Sequence, residues 1–242
     1  MTLHYRALPD LTGVDLGPMP AAPSAPIRVP QRSVALPALG SAYAVVGKRM
    51  LDIALASVAL VLAAPVLVLL AVALWIESGN PFYTQDRLGQ HGRRFRMLKL
   101  RTMVIGAENR LEEFLDRDPA LRTEWNLTQK LKRDPRITPV GRLLRKTSMD
   151  ELPQILNVLK GDMSLVGPRP MLPAQLPLYL TPEAYLGLRP GITGLWQVTA
   201  RNEESFDLRA VLDHRYAQRL TLGYDLRIIG ATFGAIWRAT GY

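Results

Sequence analysis

Between Ile53 and Ile76 the chain runs for 24 residues without a charge and with a single hydroxyl, Ser57. As a helix this stretch would extend about 36 Å, more than the ~30 Å hydrocarbon core of a bilayer. A buried helix of a soluble enzyme does not need that length. The stretch is also about twice as long as a secretory h-region and starts near residue 51, so it is not read as a cleaved leader. Two features bear on how it meets the membrane. Arg28, Arg32, Lys48 and Arg49 precede it, and Arg87, Arg93, Arg94, Arg96, Lys99 and Arg101 follow it. Basic flanks mark the cytoplasmic side, so a segment that has them at both ends enters and leaves on one face. Pro65 then stands mid-run, where it removes an i to i−4 hydrogen bond. A re-entrant hairpin of two half-helices broken at Pro65 satisfies both features; one kinked spanning helix is the alternative.

Residues 1–47 carry seven prolines (Pro9, Pro18, Pro20, Pro23, Pro26, Pro30, Pro37) among small residues. Such a composition buries little surface and reads as a flexible arm. The other segments are rich enough in apolar residues to build a core. Thirty Lys and Arg against twenty-one Asp and Glu leave a formal charge of +9, which calls for anionic partners. The chain has no Cys, which excludes disulfides, thiolate catalysis and zinc-finger chemistry. His4, His91 and His214 lie too far apart for an H-E-x-x-H zinc site, and Gly40 and Gly47-Lys48 do not have P-loop spacing.

After Gly79-Asn80-Pro81, Phe82 to Gln85 and Arg94 to Lys99 flank the turn-rich Gly89-Gln90-His91-Gly92, which predicts a β-hairpin. Arg94-Phe95-Arg96-Met97 alternates basic and apolar residues and predicts one cationic and one half-buried face. Helix is expected from about Val104 to Leu131, with Glu108, Glu112, Glu113, Asp116 and Asp118 on a solvated face. Another is expected over Leu222 to Thr240, either core-facing or lying on a membrane surface.

Chemistry concentrates between Lys130 and Pro170. Seven basic residues (Lys130, Lys132, Arg133, Arg136, Arg142, Arg145, Lys146) and one acid, Asp134, precede Thr147-Ser148-Met149-Asp150-Glu151-Leu152-Pro153. Such a basic run ordinarily forms a solvated or headgroup-facing surface. Ser148 and Glu151 have capping-box spacing, and Pro153 fits only a first turn, so a helix is expected to start here. Leu152, Ile155, Leu156 and Leu159 continue it and Gly161 stops it. Asp150 and Glu151 would then stand at a helix N-terminus, where dipole and cations favour the ionised form. An ionised carboxylate in a cationic shell suits attack on a phosphoryl group, or Mg²⁺ binding. On local sequence alone, plain helix capping is the more ordinary reading of the same two acids. Gly167-Pro168-Arg169-Pro170 holds one guanidinium between two prolines, a preorganised phosphate ligand or an ordinary turn.

Taken together, these segments resemble the bacterial sugar transferase family, the monotopic polyprenyl-phosphate phosphoglycosyl transferases. The resemblance rests on Lys48-Arg49-Met50-Leu51-Asp52, Gln85-Asp86-Arg87-Leu88-Gly89, Lys99-Leu100-Arg101-Thr102-Met103, Asp134-Pro135-Arg136-Ile137-Thr138, the run Leu144 to Gln154, the run Asn157 to Pro170, and Arg189-Pro190-Gly191-Ile192-Thr193-Gly194. It covers Lys48 to the C-terminus. The resemblance implies a two-step transfer in which Asp150 attacks the β-phosphate of a nucleotide-diphosphate sugar and polyprenyl phosphate takes up the phosphosugar. It implies Glu151 as base or Mg²⁺ organiser, Mg²⁺ held by Asp150 and Glu151, and Lys99, Arg145 and Arg169 on phosphate oxygens. It also supports the hairpin, although Ala64 replaces the serine that often precedes the family's helix-breaking proline.

The expected architecture is α+β and mainly helical. Residues 1–47 form the arm, residues 48–79 the membrane hairpin, and residues 80–242 a catalytic domain with a short β-hairpin and surface amphipathic helices. The chain looks like the small, single-hairpin type of the family, at the cytoplasmic face of a bacterial inner membrane. Its expected partners are a nucleotide-diphosphate sugar, polyprenyl phosphate and phospholipid, not nucleic acid, with a homo-oligomer left open. A non-catalytic basic scaffold and a Mg²⁺-dependent phosphodiesterase are the competing readings.

Overall fold

The computed structural model describes residues 41–107, 109–128, 131, 133–179, 181–199 and 206–237. The Pro-rich arm through Gly40, together with Glu108, Lys130 and Lys132, lies outside the described residues. A π-helical turn, Tyr43–Gly47, leads into α1, Lys48–Ser78. The hairpin strands are β1, Phe82–Leu88, and β2, Arg94–Leu100. Helices α2, Leu111–Arg117, α3, Pro119–Thr128, and α4, Pro139–Thr147, follow. A 3₁₀ turn, Met149–Glu151, precedes α5, Gln154–Lys160. Strand β3, Ser164–Val166, helix α6, Glu183–Gly187, strand β4, Gly191–Thr193, and helix α7, Leu195–Thr199, come next. The last two helices are α8, Phe206–Gln218, and α9, Leu222–Trp237.

Helix α1 is the one described helix long and apolar enough to cross a membrane. The expected break into two half-helices is absent: the helix continues through Pro65. Proline removes only one hydrogen bond, to the Val61 carbonyl, and contacts on both sides of it hold the helix. On the N-terminal side Ala56, Ala59, Leu60 and Ala63 pack on Phe95, Met97, Ile155, Val158 and Met163. On the C-terminal side Leu67, Leu70 and Leu74 pack on Leu100, Leu144 and Val140. The opposite face leaves Val58, Val61, Leu62, Val68, Leu69, Val72, Trp75 and Ile76 exposed. An apolar stripe of that extent needs an apolar medium or partner. Gly79, in left-handed conformation at φ 78°, ends the helix with its N–H on the Trp75 carbonyl.

Both ends of α1 are tied to the same domain. Lys48 Nζ lies 2.7 Å from Asp225 Oδ2 on α9, and Arg49 donates to the carbonyls of Val158 and Leu159 at 2.6 and 2.8 Å. Asp52 accepts from Ser164 Oγ and from the Leu165 N–H, each at 3.0 Å. At the other end the Val140 N–H donates to Glu77 Oε1 at 3.2 Å.

The expected hairpin is present, with antiparallel register Phe82↔Leu100 through Leu88↔Arg94 and a 3₁₀ connection, Gln90–Gly92. Phe95 and Met97 are buried and Arg96 is exposed, as the alternation predicts. A second pair, β3 parallel to β4, carries no alternation to announce it; its register is Ser164↔Gly191 and Val166↔Thr193. Its glycines allow the backbones to touch: a Cβ on Gly191 would stand 2.2 Å from the Gly167 nitrogen, and one on Gly194 2.0 Å from the Gly167 oxygen. This contact fixes the loop that carries Arg169.

The acidic face of α2 forms exposed pairs, Glu113 with Arg117, and Glu112 and Asp116 with Arg122. Helix α9 shows both expected characters. Asp225 and Ile228 are buried, while Leu222, Leu226 and Phe233 are exposed along one side.

Candidate active site

Two departures from the sequence expectation build the site. First, Ser148 does not cap a helix N-terminus. It ends α4 in left-handed conformation, φ 56°, with its N–H on the Arg145 carbonyl at 3.2 Å. A positive φ is costly for a residue with a Cβ, and here it turns the chain sharply into the 3₁₀ turn Met149–Glu151. Its side chain makes no cap bond, so the capping box is absent. Glu151 reaches across to β2 instead. Second, the basic run is not uniformly solvated. Arg136 is buried against Asp134 in a bidentate pair at 2.9 and 2.6 Å, and Arg145 turns inward to donate from Nε to Thr102 Oγ1 at 2.8 Å.

The structure brings Asp150, Glu151, Lys99 and Arg145 together. Lys99 Nζ stands 2.9 Å from Glu151 Oε1 and 3.9 Å from Asp150 Oδ2. Asp150 is 9% exposed. Burial pushes its carboxyl above the usual range; Lys99 draws it back, Glu151 pushes it further up, and Arg145 draws it down. The expectation of a carboxylate favoured by a helix dipole is thus corrected: desolvation dominates, and the cations oppose it. The Arg145 guanidinium is held below its usual range by burial, against the pull of Asp150 and Asp134. Arg169 is exposed on the loop after β3, its Cζ 5.5 Å from the Trp196 ring centre. Pro65 belongs to α1 and is remote from this chemistry in sequence and role.

Thr102 owes its place to Gly141: a Cβ there would fall 2.2 Å from the Thr102 oxygen, so α4 lies directly on the Lys99–Met103 segment. Asn157 on α5 aligns the hairpin in the same way, accepting from the Leu98 N–H and donating to the Arg96 carbonyl, each at 2.9 Å. Lys99 and Asp150 are thereby set by three elements that are far apart in sequence.

Sequence reasoning missed Arg87. It lies on the hairpin face that carries Lys99, since Tyr83 is opposite Lys99 and Arg87 opposite Phe95. Its motif was visible, but no periodicity tells which face of a short strand meets a site. Gln154 was missed too; it is buried, with Nε2 lacking a partner among the described residues.

The described residues hold no group of three or more His, Cys, Asp or Glu that would cage a metal. Two adjacent carboxylates are nevertheless a fitting donor set for Mg²⁺, which binds through one or two carboxylates together with substrate phosphates and water.

A model of the family described as bacterial sugar transferase matches residues 43–239. The chain is 41% identical over 220 residues to the exopolysaccharide production protein ExoY of Rhizobium meliloti, covering 90% of this chain and 96% of that protein. It is 44% identical over 195 residues to the undecaprenyl-phosphate galactose phosphotransferase of Salmonella typhimurium, covering 80% of this chain and 41% of that protein. It is 41% identical over 192 residues to the UDP-glucose:undecaprenyl-phosphate glucose-1-phosphate transferase of Caulobacter vibrioides, covering 75% and 66%.

Proposed function

This chain belongs to the bacterial sugar transferase family, and from that premise we propose that it moves a sugar-1-phosphate from a uridine-diphosphate sugar to undecaprenyl phosphate, an early membrane step of exopolysaccharide synthesis. It is a sugar-1-phosphate transferase. The observation that carries the mechanism is the buried Asp150 beside Lys99, Glu151 and Arg145. An Asp150 oxygen forms a bond to the β-phosphorus as the bond from that phosphorus to the bridging oxygen breaks. Uridine monophosphate leaves with the electron pair. A phosphate oxygen of the lipid then attacks the same phosphorus, the Asp150–phosphorus bond breaks, and the carboxylate is regenerated.

Lys99 keeps Asp150 ionised and, with Arg145, faces the equatorial oxygens where charge builds up; positioning and charge neutralisation are most of what phosphoryl transfer asks of a protein. Glu151 shares Lys99 with Asp150 and so holds the ammonium between them. Asp150 and Glu151 are the residues that would hold Mg²⁺, which supplies further neutralisation of the diphosphate.

The membrane reading is a continuous helix that dips its exposed apolar face into one leaflet of the inner membrane while both of its ends stay at the cytoplasmic face. It is supported by the contacts of Lys48, Arg49 and Glu77 with one domain, since a spanning helix would carry one of these ends across the bilayer. The absence of cysteine makes the test clean: Ser41→Cys and Asn80→Cys are both expected to react with an impermeant maleimide from the cytoplasmic side only. Labelling of either position from outside would rule out the dip.

The function itself is tested with purified full-length protein, Mg²⁺, undecaprenyl phosphate and a panel of uridine-diphosphate sugars. At least one sugar nucleotide is expected to release uridine monophosphate and form lipid-diphosphate-linked sugar. Equal release without the lipid, with free sugar phosphate as product, would make the protein a phosphodiesterase; no release with any sugar nucleotide would leave the scaffold reading.

A further inference from the structure

We infer that Arg87 and Arg169 together seat the phosphate that leaves with the nucleoside, separate from the Lys99 and Arg145 pair at the phosphate under attack. The inference rests on the transferase reading and adds to it a residue and a division of labour.

Arg87 makes no salt bridge to an acid among the described residues, and Glu151 acts on its charge only at longer range. Its Nη2 donates to Gln85 Oε1 at 2.6 Å and its Nη1 to the Pro170 carbonyl at 3.2 Å, both neutral acceptors. Its Nε is buried and has no partner among the described residues, and no carboxylate forms a salt bridge with it there. A charge removed from water normally finds an opposite charge. Burial, and after it the neighbouring Arg169, lower the Arg87 guanidinium to about 10. Two guanidinium groups close enough to repel, one of them with a buried N–H that has no partner among the described residues, form an arrangement that an anion would complete.

Charge balance identifies the anion. Lys99 and Arg145 face two carboxylates, Asp150 and Glu151, so the protein's own charges in that half of the site cancel before Mg²⁺ and substrate arrive. Arg87 and Arg169 are left over with two positive charges, and a sugar-linked diphosphate brings two negative ones. The attacked phosphorus must lie against Asp150, hence with Lys99 and Arg145. The other phosphate of the diphosphate then falls to the arginine pair. Geometry agrees: Arg87 and Lys99 share one face of the hairpin, four residues apart on it in register, and Glu151 is near enough to act on the charge of Arg87. The Pro170 carbonyl that accepts from Arg87 follows Arg169 directly, so this bond joins β1 to the loop that carries Arg169.

The test is equilibrium binding of uridine monophosphate to the full-length protein in nanodiscs. Arg87→Gln is expected to weaken binding at least tenfold, and Arg169→Gln likewise; Arg87→Lys, with charge but no fork, is expected to fall between. Arg145→Gln is expected to slow turnover and leave monophosphate binding within about twofold. Because Arg87 also bonds the Pro170 carbonyl, thermal melting accompanies each variant, and Arg169→Gln, at an exposed position, reads the seat if Arg87→Gln does not fold. Wild-type turnover with unchanged monophosphate binding in the folded variants would overturn the seat alone. A loss confined to the KM for undecaprenyl phosphate would move Arg87 to the acceptor and overturn it too. A wild-type protein with no turnover would overturn both the seat and the transferase reading beneath it.

Discussion

Asp150→Asn is expected to reduce release of uridine monophosphate by at least about a thousandfold, the scale on which removal of a covalent nucleophile is felt, while the protein stays folded and membrane-bound. Asparagine is isosteric with aspartate, but its neutral amide cannot form the acyl phosphate. The substitution also removes a buried charge that burial disfavours, so stability is expected to hold or rise. The diagnostic measurement omits the lipid. Wild-type protein given radiolabelled sugar nucleotide is expected to retain about one phosphosugar per chain, as a two-step mechanism requires, and Asp150→Asn none. Near-normal release by Asp150→Asn would remove Asp150 from the mechanism, and label recovered on Glu151 would exchange the two roles.

The pH profile supplies a second reading of the same residue. The nucleophile must be ionised, and its folded-state carboxyl lies above the ordinary carboxylate range because desolvation outweighs Lys99 and Arg145. Activity is therefore expected to fall on acidification at a higher pH than an exposed aspartate would give. Removing the Lys99 charge with Lys99→Met takes away the largest opposing influence, so the acid limb should move further up.

Lys48→Met is expected to destabilise the protein by roughly 3–5 kcal/mol, the range for breaking a buried ion pair from one side. Asp225 is 0% exposed, and three groups donate to it: Lys48 Nζ at 2.7 Å, Tyr43 OH at 2.6 Å and Tyr216 OH at 2.6 Å. Without Lys48 the two phenols remain, but the carboxylate charge has no counterion. The pair joins the start of α1 to α9, and the Tyr216 oxygen that donates to Asp225 lies 3.2 Å from the Val166 carbonyl on β3. Its loss should therefore loosen α1 from the domain. Lys48→Met combined with Asp225→Asn removes both charges and is expected to recover much of the loss, a coupling that thermal melting in detergent can measure. A Lys48→Met protein within about 0.5 kcal/mol of wild type, the usual spread for a surface change, would show that the pair does not hold α1 in place.

Much of the arrangement could be read along the chain because its cause is local. Twenty-four uncharged residues specify an apolar helix in any context, and alternation around Gly89–Gly92 specifies a hairpin. Asp150, Glu151, Lys99 and Arg145 were named from motifs, and the structure gathers them. Pro65 misled because a proline's local cost is a single hydrogen bond, whereas packing on both sides of it decides whether the helix breaks. Ser148 misled in the same way: capping-box spacing is a local signal, and the left-handed turn at that residue is decided by where α4 and α5 must pack.

What the sequence alone determined is the chemistry present: an amphiphilic anchor, an acidic pair and an excess of cations. Only the tertiary structure decided which cations face which acids. Lys99 reaches Glu151 across 52 positions of chain and Arg145 reaches Thr102 across 43, while Arg87 forms no salt bridge among the described residues. The physical reason is that charge, hydropathy and helix preference belong to single residues and their near neighbours, whereas desolvation and ion pairing belong to positions in space. The same guanidinium is a solvated surface group in one place and a phosphate seat in another, and only the fold distinguishes them.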